Sequence, residues 1–148
     1  MSTSIIPPHL EQFVTRQRHA HLASTDARGA PHVVPVVFAY VDGLLYVPID
    51  AKPKSVGASR LKRIRNLQAN PRAAFLVDRY ADDWRQLCFL LIHAEAQVIS
   101  LDACAGRIAE ALRMKYHQYQ DQGMLAGDAP LIRLHPRRYH AWGSFDQL

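Results

Sequence analysis

Between Asp50 and Asp78 the chain carries no acid and seven cations: Lys52, Lys54, Arg60, Lys62, Arg63, Arg65 and Arg72. Lys52 and Lys54 follow directly on the strand-like run GLLYVPI (43–49), and Lys62 and Arg63 lie in the first turn of a helical run. A helix N-terminus presents unpaired N–H groups and the positive end of a dipole, so cations added there converge on a phosphate-sized anion. The competing reading of any charge run is a solvated helix face; the absence of an interleaved acid argues against it.

The 148 residues hold 18 bases and 13 acids, a net charge of +5. Outside the segment, eleven bases face all thirteen acids, a balance of −2, so the basic character is local. A local excess suggests an anion site more than a uniformly basic surface. The helix has one strongly basic turn and no interleaved aromatics, which ranks nucleic-acid binding last.

Two other constellations carry less. His19 and His21 alternate onto one strand face with His32 able to pair across, but no carboxylate or cysteine lies at a helpful spacing, so structural histidines are the better reading and no metal site is assigned. Cys88 and Cys104 have no nucleophile signature, and there is no Gly-x-Ser-x-Gly elbow or Walker-type loop. With no side-chain catalyst assigned, a chain with an anion site is either a binder or an enzyme whose cofactor supplies the chemistry.

The elements that must position these residues are short. Leu10, Phe13 and Val14 imply a helix over 9–18 after Pro7-Pro8. Strand-like runs follow at 19–25, 31–41 and 43–49, separated by DARGA and by Asp42-Gly43. Pro35 cannot donate a ladder hydrogen bond and marks a bulge or an unpaired edge. A helix from Ser59, its N-cap, buries a Leu61, Ile64 and Leu67 stripe and closes at Asn70-Pro71. Strands at 72–80 and 86–99 precede a long helix over 102–119, with Asp102 as N-cap and Ile108, Leu112 and Met114 to Tyr116 on its buried side. A last strand, 130–145, is interrupted by Pro136.

This is the pattern of an α+β fold, a six-stranded antiparallel split β-barrel with flanking helices, in a single domain over 1–148. No apolar run is long enough for a membrane span, no export signal opens the chain, and two isolated cysteines suit a reducing compartment, so a cytoplasmic protein is expected.

In their order, HLAST, DARGAPHVVPVVF, GLLYVPID, KPK and RLKRIRNLQANPRAAFLVD resemble the pyridoxamine 5′-phosphate oxidase-like, FMN-binding split barrels, over roughly residues 12–145. PHVVPVVF, KPK, LKRIRN, NPR and LVDRYADDW are most similar to the branch using coenzyme F420, a deazaflavin. The resemblance implies an oxidoreductase that uses FMN or F420 for hydride transfer to or from a small organic substrate; the alternative is a non-catalytic flavin or haem carrier. It implies a ring bonded by backbone groups of Val34, Pro35, Val36 and Val37, and a phosphate held by Lys62 and Arg63 with Lys52 and Lys54. Arg60, like Arg65, would suit a longer anionic tail. It also implies a homodimer with the cofactor at the interface, where Trp84, Phe89 and Trp142 of one chain would reach the other's ring. Arg137 and Arg138 are only loose counterparts of the arginines that hold the substrate phosphate in vitamin B6 oxidation, so that activity is not expected.

Overall fold

The computed structural model describes residues 4–49, 61–104, 106–120, 125 and 129–146. Within them the order is α1 (Pro8–Arg16), β1 (Ala20–Thr25), β2 (Pro31–Val36), β3 (Ala39–Val41), β4 (Leu44–Pro48), α2 (Lys62–Ala69), β5 (Arg72–Arg79), β6 (Cys88–Ser100), α3 (Arg107–Lys115) and β7 (Pro130–Gly143). The strands form one sheet in the order β2-β1-β5-β6-β7-β4-β3, and every pairing is antiparallel.

Its two edge strands, β2 and β3, are consecutive in the chain, separated only by Val37 and Phe38. In a flat sheet six spacings of about 4.8 Å would hold them roughly 29 Å apart, whereas a three-residue step reaches roughly 11 Å. The sheet therefore curls until its edges meet, which makes it a barrel with a seam at Val37-Phe38.

Six strands were expected and seven are described, because the run 31–41 supplies two. The cause is Phe38. Its ring is fully buried, edge-on to Phe75 at 5.0 Å. Its N–H donates to Tyr116 Oη at 3.1 Å and its carbonyl accepts from Lys115 Nζ at 3.1 Å, so side chains replace the ladder there. Pro35 lies on edge strand β2, opposite His21, where the missing donor faces no second neighbour among the described residues.

Alternation then sorts the residues. Ala20 and Leu22 of β1, Phe75 and Val77 of β5, Leu90 and Ile92 of β6, and Leu134 of β7 fill the interior. Leu10, Phe13 and Val14 of α1 and Ile64 and Leu67 of α2 join the same cluster, with Leu61 packed against it. On the other surface of β3 and β4, Ala39 and Tyr46 meet Ile108, Ala109 and Leu112 of α3 in a second cluster. Asp42 and Gly43, with φ of 52° and 82°, form the two-residue hairpin joining β3 to β4.

Four expectations change. The 102–119 helix is divided: Asp102 lies in a 3-10 turn, Leu101–Cys104, and Gly106 at φ 82° precedes α3, which stops before extended Tyr116. Met114 is 80% exposed because Ile108 and Leu112 define the buried face and Met114 lies about 200° further round. Ser59 lies outside the described residues, and the residue preceding α2 is Leu61, with no side-chain cap. Pro136 does not interrupt β7; it pairs with Ala94 while Arg138 pairs with His93, leaving Arg137 as a bulge.

Candidate functional site

The site expected from the sequence lies where β2 begins and α2 starts. Asp26, in the turn between β1 and β2, accepts N–H bonds from Arg28 and Ala30, both at 2.9 Å. These bonds, Ala30's foremost, hold its carboxyl below the usual range, with Lys62 adding to the effect. Lys62 Nζ stands 3.7 Å from Asp26 Oδ2. The first cation of α2 is thus aimed at the turn that opens β2.

Lys62, Asn66 and Asn70 recur every four residues and so share one face of α2. Their partners are consecutive on β1 and its turn: Asn66 Nδ2 donates to Ser24 Oγ at 3.1 Å, Asn70 Nδ2 to Thr25 Oγ1 at 2.9 Å, and Lys62 reaches Asp26. Asn66 and Ser24 are 2% and 4% exposed, so this is a buried polar seam within an otherwise apolar contact. The four-residue spacing of Lys62, Asn66 and Asn70 was a readable signal; their partners on β1 were not.

Of the ring-binding candidates, Val34 and Val36 turn inward from β2 opposite Leu22 and Ala20, Pro35 is exposed, and Val37 lies in the seam. β2 pairs with β1 alone among the described residues, so its second edge carries no ladder with a described strand. Arg63 is half-buried at the start of α2. Lys52, Lys54 and Arg60 lie outside the described residues.

The histidines do not converge. His19 and His21 meet edge-on at 5.7 Å, while His32 lies opposite Ser24 with its Nδ1 buried and without a hydrogen-bond partner among the described residues. No group of three metal-binding side chains is present among the described residues.

Of the aromatic candidates, Phe89 and Trp142 share the outer face of the sheet, and Trp84 lies in the 3-10 turn Trp84–Gln86 between β5 and β6. Phe89 and Trp142 are opposite each other and stacked at 5.9 Å, with His140 5.6 Å from Phe89. Trp84 and Trp142 are 72% and 51% exposed. On β5 and β6, the strands between Trp142 of β7 and the β2 edge strand with its 64% exposed Val33, lie half-buried Leu76 and Leu91.

An antiparallel barrel with a cationic helix start held against its β1–β2 turn defines a class, and comparison with known proteins gives it a family. Residues 6–143 match the pyridoxamine 5′-phosphate oxidase family, and the chain belongs to it. Over 132 residues, 88% of this chain and 78% of the relative, it is 29% identical to the 5a,11a-dehydrotetracycline/5a,11a-dehydrooxytetracycline reductase of Streptomyces rimosus. Among solved structures it resembles HutZ, the heme storage protein of Vibrio cholerae, with a TM-score of 0.71, 20% identity and 92% of each chain covered. It also resembles an F420 reductase, with a TM-score of 0.65, 18% identity, and 91% of this chain and 98% of that one covered. At these identities the two structures establish the fold. No helix among the described residues is long and apolar enough to cross a membrane.

Proposed function

We propose that the chain is an oxidoreductase using a bound flavin or deazaflavin, FMN or coenzyme F420, for hydride transfer to or from a small organic substrate. The observation that carries this reading is the edge of β2 left without a described strand partner and tied, through Asp26 and Lys62, to the cationic start of α2. The residues present fit such a group. An unpaired strand edge offers backbone groups to a heteroaromatic ring, and a helix start with two adjacent cations suits a phosphate.

When bound, the cofactor supplies the hydride chemistry. The chain's own residues bind and orient: Lys62 and Arg63 hold the phosphate, Lys52 and Lys54, outside the described residues, add cations to it, and Val34 to Val37 border the ring. Val34 and Val36 shield one side of the site from water. Arg60 suits the longer anionic tail of F420. The Streptomyces reductase and the F420 reductase support reduction of a small molecule, and vitamin B6 oxidation is not part of the reading.

The same reading takes 1–148 as one domain and the protein as a cytoplasmic homodimer. The outer face carrying Leu76, Leu91, Phe89 and exposed Trp142 supports the second copy, which would bring Trp84, Phe89 and Trp142 near the partner's ring. Free Cys88 and Cys104 suit a reducing compartment.

A second reading, a non-catalytic flavin or haem carrier, draws on HutZ and on His32 Nδ1, which has no hydrogen-bond partner among the described residues. The visible spectrum of the protein purified from its native host separates the two: a flavin or deazaflavin band that bleaches on reduction and returns with substrate supports the enzyme. A haem band, or a flavin never reoxidised by any of a panel of enones and quinones, supports the carrier.

A further inference from the structure

At the far end of the outer face, where α2 hands over to β5, lies a groove of 670 Å³ lined by Asn70, Arg72, His93, Glu95, Arg137 and Arg138 with a floor that includes Ala73 and Ala94. Its size is that of a small-molecule site. Three arginines face one acid. Arg72 is opposite Glu95 and Arg138 is opposite His93 in the strand register, while Arg137 Nη2 reaches Glu95 Oε2 at 3.2 Å.

The arrangement depends on the bulge. In a regular strand Arg137 and Arg138 would point to opposite faces; the extra residue between Pro136 and Arg138 lets both line one groove. Glu95 engages Arg137, and among the described residues neither the Arg72 nor the Arg138 side chain has an ion-pair partner. The groove therefore keeps two guanidinium forks, each able to bind a carboxylate or phosphoryl group bidentately.

This site is not the one at the start of α2. Lys62 and Asn70 lie at opposite ends of an eight-residue helix, about 12 Å apart. We propose that the groove is a second anion site, taking a small molecule that carries two or more carboxylate or phosphoryl charges, held by Arg72 and Arg138. The inference stands on the groove alone and does not depend on the cofactor.

The test is calorimetric titration of the intact protein at low salt with pyrophosphate and, separately, with citrate, which distinguishes phosphoryl from carboxylate ligands. Saturable binding of at least one probe at this groove is expected. Arg72→Ala and Arg138→Ala should each weaken it about tenfold, as the loss of a charge-assisted contact does. Glu95→Gln, which removes the competing acid, should tighten it severalfold, a gain that misfolding cannot mimic. Arg113→Ala, on exposed α3, should leave it unchanged. Absence of saturable binding by either probe, or an equal loss in Arg113→Ala and Arg72→Ala, would overturn the proposal.

Discussion

Lys62 Nζ stands 3.7 Å from Asp26 Oδ2, so the cation nearest the start of α2 is shared between the β1–β2 turn and any phosphate bound there. Both side chains are partly exposed, and such pairs add little to stability. The effect should appear in binding. Asp26→Asn keeps an oxygen for the Arg28 and Ala30 N–H groups but frees the Lys62 charge, and should tighten cofactor binding severalfold. Lys62→Ala and Arg63→Ala should each weaken it about tenfold. Fluorescence titration of the parent and the three variants checks this; unchanged affinity in all of them would put the phosphate elsewhere.

Asn66 and Ser24 satisfy each other in a buried contact. Asn66→Ala leaves the Ser24 hydroxyl without its partner and should cost about 1–3 kcal/mol in urea unfolding. Adding Ser24→Ala should recover part of that loss, since removing both partners is cheaper than orphaning one. A double variant as unstable as the sum of the singles would contradict the pairing.

Gly143 ends β7 at a φ of 97°, and a Cβ placed on it would lie 2.1 Å from the Leu87 carbonyl oxygen and 2.7 Å from Cys88 Cα. Backbone cannot yield as a flexible side chain can. Gly143→Ala should destabilise by about 3 kcal/mol or more, combining strain with a displaced strand end, and a urea midpoint within error of the parent would show that the β6 start is free to move.

Lys115 is pushed down to about 8, chiefly by burial and then by Arg18, against an ordinary value of 10.5. Its amine donates to the Phe38 carbonyl and sits 3.7 Å from the centre of the Phe38 ring. The folded state therefore releases this proton before the unfolded state does. Between about pH 8 and 10 the unfolded chain binds more protons, and this group's contribution makes stability rise with pH. Tyr40, raised to about 12, and Tyr116, also raised, oppose that rise only as tyrosines in the unfolded chain begin to ionise near pH 10. The difference in urea midpoint between the parent and Lys115→Met should change across pH 8–9.5 in the parent's favour; a constant difference would remove Lys115 as the cause.

Much of the barrel was legible because alternation and turn chemistry are local. Asp42-Gly43 announced its hairpin, Pro35 marked an edge, and Leu61, Ile64 and Leu67 gave the inward face of α2. The break at Val37-Phe38 was not legible, since the run 31–41 is uninterrupted in type and the groups that end the ladder, Lys115 and Tyr116, are 77 and 78 residues away. The long third helix failed for a local reason that could have been read, the glycine at 106. At the candidate site, charge counting pointed to Lys62 and Arg63, but Asp26 belongs to a turn thirty-six positions earlier in the chain, and only the packing of α2 on β1 brings it to Lys62.

The central claim, a flavin or deazaflavin seated between β2 and α2, is tested most directly by equilibrium titration of the purified protein with FMN and with coenzyme F420. The account predicts saturable binding of one of them at micromolar or lower concentration, lost or weakened about tenfold in Lys62→Ala. Micromolar binding of neither would contradict it.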